Sequence, residues 1–289
     1  MFNTFFKLLS VGALFLSSIL VHTVPTNVNA NTYSSTQLTN GVWLAGAAYC
    51  GKDKYSTMKL SGPATGFVYK STIYDAKTDL QGFIGLMDST KSIHVVLRGS
   101  SSTMNWLDDF EVKQVPYNSW PECNCQVHNG FYKSAMGVAN STIAIVNTLL
   151  KTHPTYDVYV NGHSYGSIVG QLIAMELVKA GIKPHVYNFG QPRGGDKTFA
   201  SFANTKLPDY WRTTHNKDMV PHVPPIDGFG YYHSCGEIFE DVSGTLHTCS
   251  STNCEDPKCA DQYALYQTNT DDHLYYLSHR VSCEASTIA

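Results

Sequence analysis

The apolar run Tyr156-Asp157-Val158-Tyr159-Val160 leads almost directly into Gly162-His163-Ser164-Tyr165-Gly166, and this junction constrains the fold more than any other part of the chain. A serine lifted off the end of a strand into a tight turn that opens a helix sits on strained backbone with its neighbours pressed together, so the positions two residues to either side need minimal side chains. Gly162 and Gly166 meet that need. Downstream, Gly166, Gly170 and Ala174 recur at helical spacing, giving the stretch from Ser167 to Leu177 a small-residue face that can lie close against a sheet. Strand, turn and helix together read as a nucleophile elbow carrying Ser164, rather than as a plain Gly/Ser loop in a βα unit.

The remaining parts fall in an order that suits such a turn. Ser34-Ser35-Thr36 caps a first helix reaching Cys50, with Leu38, Val42, Leu44, Ala45 and Ala48 on its apolar side. Strands follow over Phe67 to Tyr74, Gln81 to Met87 and Ile93 to Leu97, separated by polar turns and forming two adjacent hairpins. After a long helix from Phe131 to Leu150, strand and helix alternate: Asp157 to Val160, Tyr165 to Ala180, His185 to Phe189, Asp196 to Ala203, Tyr210 to Thr214. That alternation predicts an α/β fold with a mostly parallel sheet covered on both faces. Phe229 to Phe239 reads as one more extended segment and Cys249 to Cys259 as irregular.

The amino-terminal region reads as an export signal. Lys7 precedes the apolar stretch from Leu8 to Leu20, and Val28-Asn29-Ala30 offers the small-x-small pattern of signal-peptidase cleavage. A membrane anchor is the competing reading, but the run is short and broken by Ser10, Ser17 and Ser18, and no later segment could span a bilayer. The expectation is therefore a signal peptide over 1–30 and one catalytic domain over 31–289, secreted and without a transmembrane segment; about 260 residues suit a single α/β domain, and no linker, repeat or low-complexity block divides them. Loss of the leader moves the formal charge from −3 to −4, because it holds one lysine and no acid. With so mild a charge and no basic stripe, nucleic acid is not an expected partner, and strong electrostatic membrane binding is not either. Eight cysteines suit an oxidising compartment, and Asn140-Ser141-Thr142 is one sequon.

A serine hydroxyl is a poor nucleophile at neutral pH, so Ser164 needs a histidine to take its proton and a carboxylate to fix that imidazole. In a strand-turn-helix setting the chain order is serine, acid, histidine. Asp218 lies in a loop just beyond the strand Tyr210 to Thr214, at the sheet edge where the elbow emerges, whereas Asp196, Asp209 and Asp227 sit at a helix start or in polar turns where capping explains them. Five histidines follow: His222, His233, His247, His273 and His279. Pattern alone does not choose among them, although His273 sits in a polar loop immediately before the apolar segment Leu274-Tyr275-Tyr276-Leu277, which suits a loop-mounted base. His163, beside the nucleophile, reads as elbow packing and Arg98 as a structural ion pair.

Six short segments occur in the order seen in one family. These are Val96-Leu97-Arg98-Gly99-Ser100, Val127-His128-Asn129-Gly130-Phe131, the elbow itself, Asn188-Phe189-Gly190-Gln191-Pro192-Arg193, Asp218 through Pro225, and Asp272-His273-Leu274-Tyr275-Tyr276. Over most of its mature length the chain thus resembles the filamentous-fungal, or class 3, lipases. Tyr165 departs from the family's usual leucine and Asp196 from its common asparagine. The resemblance implies an α/β-hydrolase fold with a short helical lid and carboxylic ester hydrolysis by Ser164, Asp218 and His273. It assigns the oxyanion donors to the backbone amides of Tyr165 and Ser100, and the lid to the segment from Ser101 to Phe110, where Met104, Leu107 and Phe110 share one side and Trp106 lies beside them. Feruloyl esterases of the family carry a polar segment there, so Trp106 and Leu107 favour a triacylglycerol lipase meeting lipid at an oil–water interface. The alternatives are a feruloyl or aryl esterase, a phospholipase A1, and a catalytically silent lipid-binding homologue.

By the same resemblance Cys50 pairs with Cys283. Cys123-Asn124-Cys125 is close enough for a small ring, while Cys235, Cys249, Cys254 and Cys259 leave three pairings open. A zinc site built from the last three and a histidine is the minor alternative, so neither metal nor cofactor is expected.

Overall fold

The computed structural model describes residues 32–101 and 111–288. The expected leader, and the four lid residues Met104, Trp106, Leu107 and Phe110, lie outside the described residues. In chain order the elements are α1 (Ser35–Ala47), β1 (Val68–Asp75), β2 (Leu80–Met87), β3 (Ser92–Leu97), β4 (Gln114–Pro116), β5 (Gln126–His128), α2 (Asn129–Thr152), β6 (Asp157–His163) and α3 (Tyr165–Lys179). They continue with β7 (Pro184–Phe189), β8 (Gly195–Asp196), α4 (Lys197–Lys206), β9 (Tyr210–His215), β10 (Tyr231–Tyr232), β11 (Glu237–Glu240), β12 (Leu246–Thr248), β13 (Tyr275–Tyr276), β14 (His279–Arg280) and α5 (Cys283–Ser286).

Among the described residues the main sheet has eight strands in the order β1-β2-β3-β6-β7-β9-β11-β12. The first three run antiparallel as hairpins; β3, β6, β7, β9 and β11 are parallel, and β12 turns back. Both faces of the parallel strands are buried, and the two-residue period of a strand divides its side chains between them. Val95, Leu97, Val158, Val160 and Val186 pack with α2, α3 and α4 in one core. The alternate residues Val96, Tyr159, Tyr187 and Phe189 face the other way, where α1 covers them. The predicted α/β-hydrolase architecture is therefore present, with strand and helix limits within a few residues of those read from sequence.

One predicted element is wrong. Phe229 to Phe239 is not a single strand: β10 pairs with β8 in a small second sheet, whereas β11 joins β9 in the main one. Gly236 separates them at φ +96°, so tightly set that a Cβ there would lie 2.1 Å from the Tyr210 carbonyl oxygen. Alternating apolar residues hid this break because both halves are buried.

All eight cysteines are paired: Cys50–Cys283, Cys123–Cys125, Cys235–Cys254 and Cys249–Cys259. The first joins the 3₁₀ turn after α1 to α5, as the resemblance implied. The last two resolve the open pairings and commit the thiols that a zinc site would have needed.

Candidate active site

β6 delivers the chain to the elbow, and Ser164 takes φ 58°, ψ −132° between strand and helix. Positive φ at a residue with a Cβ stores strain of roughly 1 to 3 kcal/mol, tolerated only where the surroundings fix it. Here the Ser164 amide donates to Phe189 O at 2.9 Å, and Ser167 N donates back to Ser164 O at 3.0 Å. The elbow glycines work as predicted. A Cβ on Gly162 would stand 2.5 Å from Gly166 O, and one on Gly166 would stand 2.5 Å from both Leu97 O and Arg98 O. The start of α3 is thereby pressed onto the end of β3.

Asp218 follows β9 and bridges to Asn269, which brings the 269–274 segment beside it. His273, in the 3₁₀ turn Asp272–Leu274, sets Nδ1 2.9 Å from Asp218 Oδ2, with side chains 0% and 1% exposed. A carboxylate only accepts, so Nδ1 carries the proton and Nε2 presents its lone pair. Tyr276 donates its hydroxyl to the same Oδ2, and Val220 N donates to Oδ1 at 2.9 Å. Burial works against ionisation of Asp218, yet His273, Tyr276 and the Val220 amide outweigh it and hold the carboxyl below its usual range.

Ser164 Oγ and His273 Nε2 belong to the side-chain atoms left unpaired among the described residues, as does His222 Nε2. All three are buried, where nearly all polar groups find partners. Neighbouring contacts place Ser164 and His273 in one region. Phe189, which binds the Ser164 amide, is followed by Gly190, where a Cβ would lie 2.7 Å from His273 Cε1 and 2.8 Å from Nδ1. From the other direction, a Cβ on Gly99 would lie 2.8 Å from Ser164 Cβ. The loop holding Gly99 and Ser100 therefore rests on Ser164, next to Tyr165, the first residue of α3. The Tyr165 hydroxyl donates to Ser134 Oγ and its ring leans on Phe131, so the departure from leucine anchors α3 to α2. Arg98 Nη2 pairs with Asp79 Oδ2 at 2.8 Å, the structural role expected of it.

Apart from His222 and Asp227, the rival groups are engaged by other partners. His233 Nε2 donates to Pro221 O at 2.7 Å, His247 pairs with Asp241 at 2.8 Å, and His279 stacks on Trp43 and bonds Ser286 Oγ at 2.9 Å. His222 is buried, and burial followed by the Arg193 charge pushes it down to about 4. Asp196 caps α4 by accepting from Phe199 N at 2.7 Å, and Asp227 is exposed in a turn. Asp209 is neither a cap nor a plain turn residue; it pairs with His185 and accepts from Trp211 Nε1 at 2.5 Å, because His185 on β7 lies beside the start of β9.

Two side chains at the site escaped the sequence reading. Tyr276 was visible inside the Asp-His-x-x-Tyr motif, but nothing local says that its hydroxyl reaches Asp218, 58 residues away. Tyr49 carried no pattern signal beyond its place before Cys50, yet its hydroxyl meets His163 Nδ1 at 2.6 Å.

Comparison with known proteins gives a consistent picture. A family model described as Lipase (class 3) matches residues 94–228. The lipase of Rhizomucor miehei is 32% identical over 259 residues, which cover 87% of this chain and 66% of that one. This chain thus spans just under two thirds of that relative's length. Lipase II from Rhizopus niveus superposes with a TM-score of 0.78 at 28% identity, covering 88% of this chain and 98% of that one. A triacylglycerol lipase structure described as having a serine-protease triad for its catalytic centre also gives 0.78, at 30% identity over 88% of this chain and 98% of that one.

Proposed function

Because the chain belongs to the class 3 lipase family, we propose that it is a secreted serine carboxylic ester hydrolase whose substrates are triacylglycerols at a lipid surface. The observation that carries this reading is the fully buried His273–Asp218 pair, which leaves His273 Nε2 unpaired, with Ser164 Oγ on the adjoining elbow also unpaired.

In the proposed reaction Ser164 Oγ attacks the ester carbonyl while its proton passes to His273 Nε2. Asp218, already ionised, stabilises the imidazolium without taking the proton. The oxyanion is held by the amides of Tyr165 and Ser100, each donor contributing roughly 10²- to 10³-fold in rate. His273 then protonates the departing alkoxide. Water, deprotonated by the same imidazole, releases the fatty acid and regenerates Ser164. No step requires a cofactor. The amphipathic segment at 101–110 supports the lipid-surface part of the proposal from sequence alone, as residues 1–30 support secretion.

Ser164→Ala should lower kcat on p-nitrophenyl esters by on the order of 10⁶ while the protein stays folded. His273→Ala should abolish labelling of Ser164 by an organophosphate, whereas His222→Ala should leave it. Turnover retained by purified Ser164→Ala would overturn the mechanism. Hydrolysis of emulsified triglyceride well above that of soluble methyl ferulate is the expected ranking; the reverse would make the protein a feruloyl esterase.

A further inference from the structure

His163 is placed as no simple packing residue needs to be. It directly precedes Ser164, its ring lies 4.3 Å from that of His273, and its Nε2 is 2.7 Å from the His273 carbonyl oxygen, 110 residues away. A carbonyl only accepts, so Nε2 carries the hydrogen and Nδ1 is the acceptor. The partner at Nδ1 must then donate, and Tyr49 Oη does so at 2.6 Å. The same phenol oxygen packs against Gly99, where a Cβ would be only 2.2 Å from it.

Two hydrogen bonds run in one direction, Tyr49 O–H to His163 Nδ1 and His163 Nε2–H to His273 C=O, and begin at a phenol oxygen seated on Gly99. Together these contacts link the loop before Ser100, the elbow and the loop that mounts His273. We infer that Tyr49 and His163 are positioning residues that hold the proposed oxyanion loop, nucleophile and base in register, one imidazole tautomer fixing the direction of both hydrogen bonds. Burial, and then the neighbouring His273, push His163 down to about 3, so it stays neutral when a proton arrives on His273. Burial also keeps the Tyr49 phenol protonated. Neither residue hydrogen-bonds a reacting atom; they act through backbone and through the packing of the His163 ring on that of His273. Tyr49 is itself held, since Cys50 beside it is tied to Cys283.

The inference rests on the ester-hydrolase reading and is separable from it. The rate of organophosphate labelling at Ser164 and the kinetics on p-nitrophenyl butyrate are measured for the wild type, Tyr49→Phe, His163→Leu and His163→Gln, with thermal melting as a folding control. Tyr49→Phe and His163→Leu should lose about 10- to 100-fold in labelling rate and kcat with KM within about twofold, as expected when reacting groups drift by a fraction of an ångström. His163→Gln, whose amide can still donate to the His273 carbonyl, should recover most of the loss. A merely structural role would move melting temperature without that split or that recovery. Labelling of Tyr49→Phe at the wild-type rate would overturn the inference, even if His163→Leu failed to fold. A wild type that is not labelled at Ser164 would instead sink the hydrolase reading, and this one with it.

Discussion

At the scale of single residues, Asp218 gathers most of the site's electrostatics, since one carboxylate serves His273, Tyr276 and the Val220 amide. Asp218→Asn keeps the shape but cannot stabilise an imidazolium, and kcat should fall about 10⁴-fold. Tyr276→Phe is the subtler test. It removes one hydrogen bond to a charged group, worth roughly 1.5 to 3 kcal/mol, so kcat/KM should drop about 10- to 100-fold while Ser164 remains labelled, only more slowly. Unchanged kcat/KM would mean that Tyr276 merely fills space. Ser164 was legible from five consecutive residues, because elbow geometry is local and excludes side chains at Gly162 and Gly166. Asp218 followed from its place beyond a strand. His273 was not separable from four other histidines by pattern and needed the family motif, and Tyr49 and Tyr276 act through contacts that only the folded chain creates.

Among the elements, the parallel strands were readable because burial on both faces makes them short, apolar and regularly spaced. Gly236 shows where that reading ends: a left-handed glycine inside an alternating run divides one expected strand between two sheets. The loops after β11 depend on contacts that sequence does not announce. Arg193 grips Glu255 with Nε and Nη2 at 3.0 and 2.8 Å and Asp261 at 3.2 Å, while Nη1 holds the carbonyls of His222 and Pro224 at 2.8 and 3.2 Å. The disulfide-rich segment thus braces the loop that carries Asp218. Loop length ranks the disulfides. Cys50–Cys283 spans a separation of 233 residues and Cys123–Cys125 only 2. Chain entropy predicts a loss of about 5 kcal/mol for a Cys50→Ser, Cys283→Ser double variant and much less for the Cys123, Cys125 pair. Denaturant titration checks this, and equal losses would show that the long bridge does little beyond local contacts.

Across the whole molecule, buried histidines set the response to acid. His94, His222 and His279 are each pushed down to about 4 by burial, as is His163 to about 3. Each binds a proton more readily when unfolded, so its contribution is intact above the ordinary value near 6.5 and is lost as pH falls below it, with a slope of up to ~1.4 kcal/mol per pH unit. Asp261 opposes them. Burial and the adjacent Glu255 carboxylate push it up to about 7, so its contribution is present at low pH and lost as pH rises toward 7. His185, raised by Asp209, also favours the acid side. The four histidines outnumber these two, and melting temperature should fall steadily from pH 6.5 to 4.5, more steeply in Asp261→Asn. A flat profile in the wild type would show that these imidazoles reach solvent. The strand order has a further consequence for a protein made from one end to the other. Neighbours in the main sheet follow one another along the chain from β1 to β12, so the layer can be laid down as synthesis proceeds, whereas His273 belongs to a loop that emerges only after the last of those strands. On the proposed reading, the serine turn is complete along the chain well before the histidine that would activate it, and competence waits for the end of the scaffold.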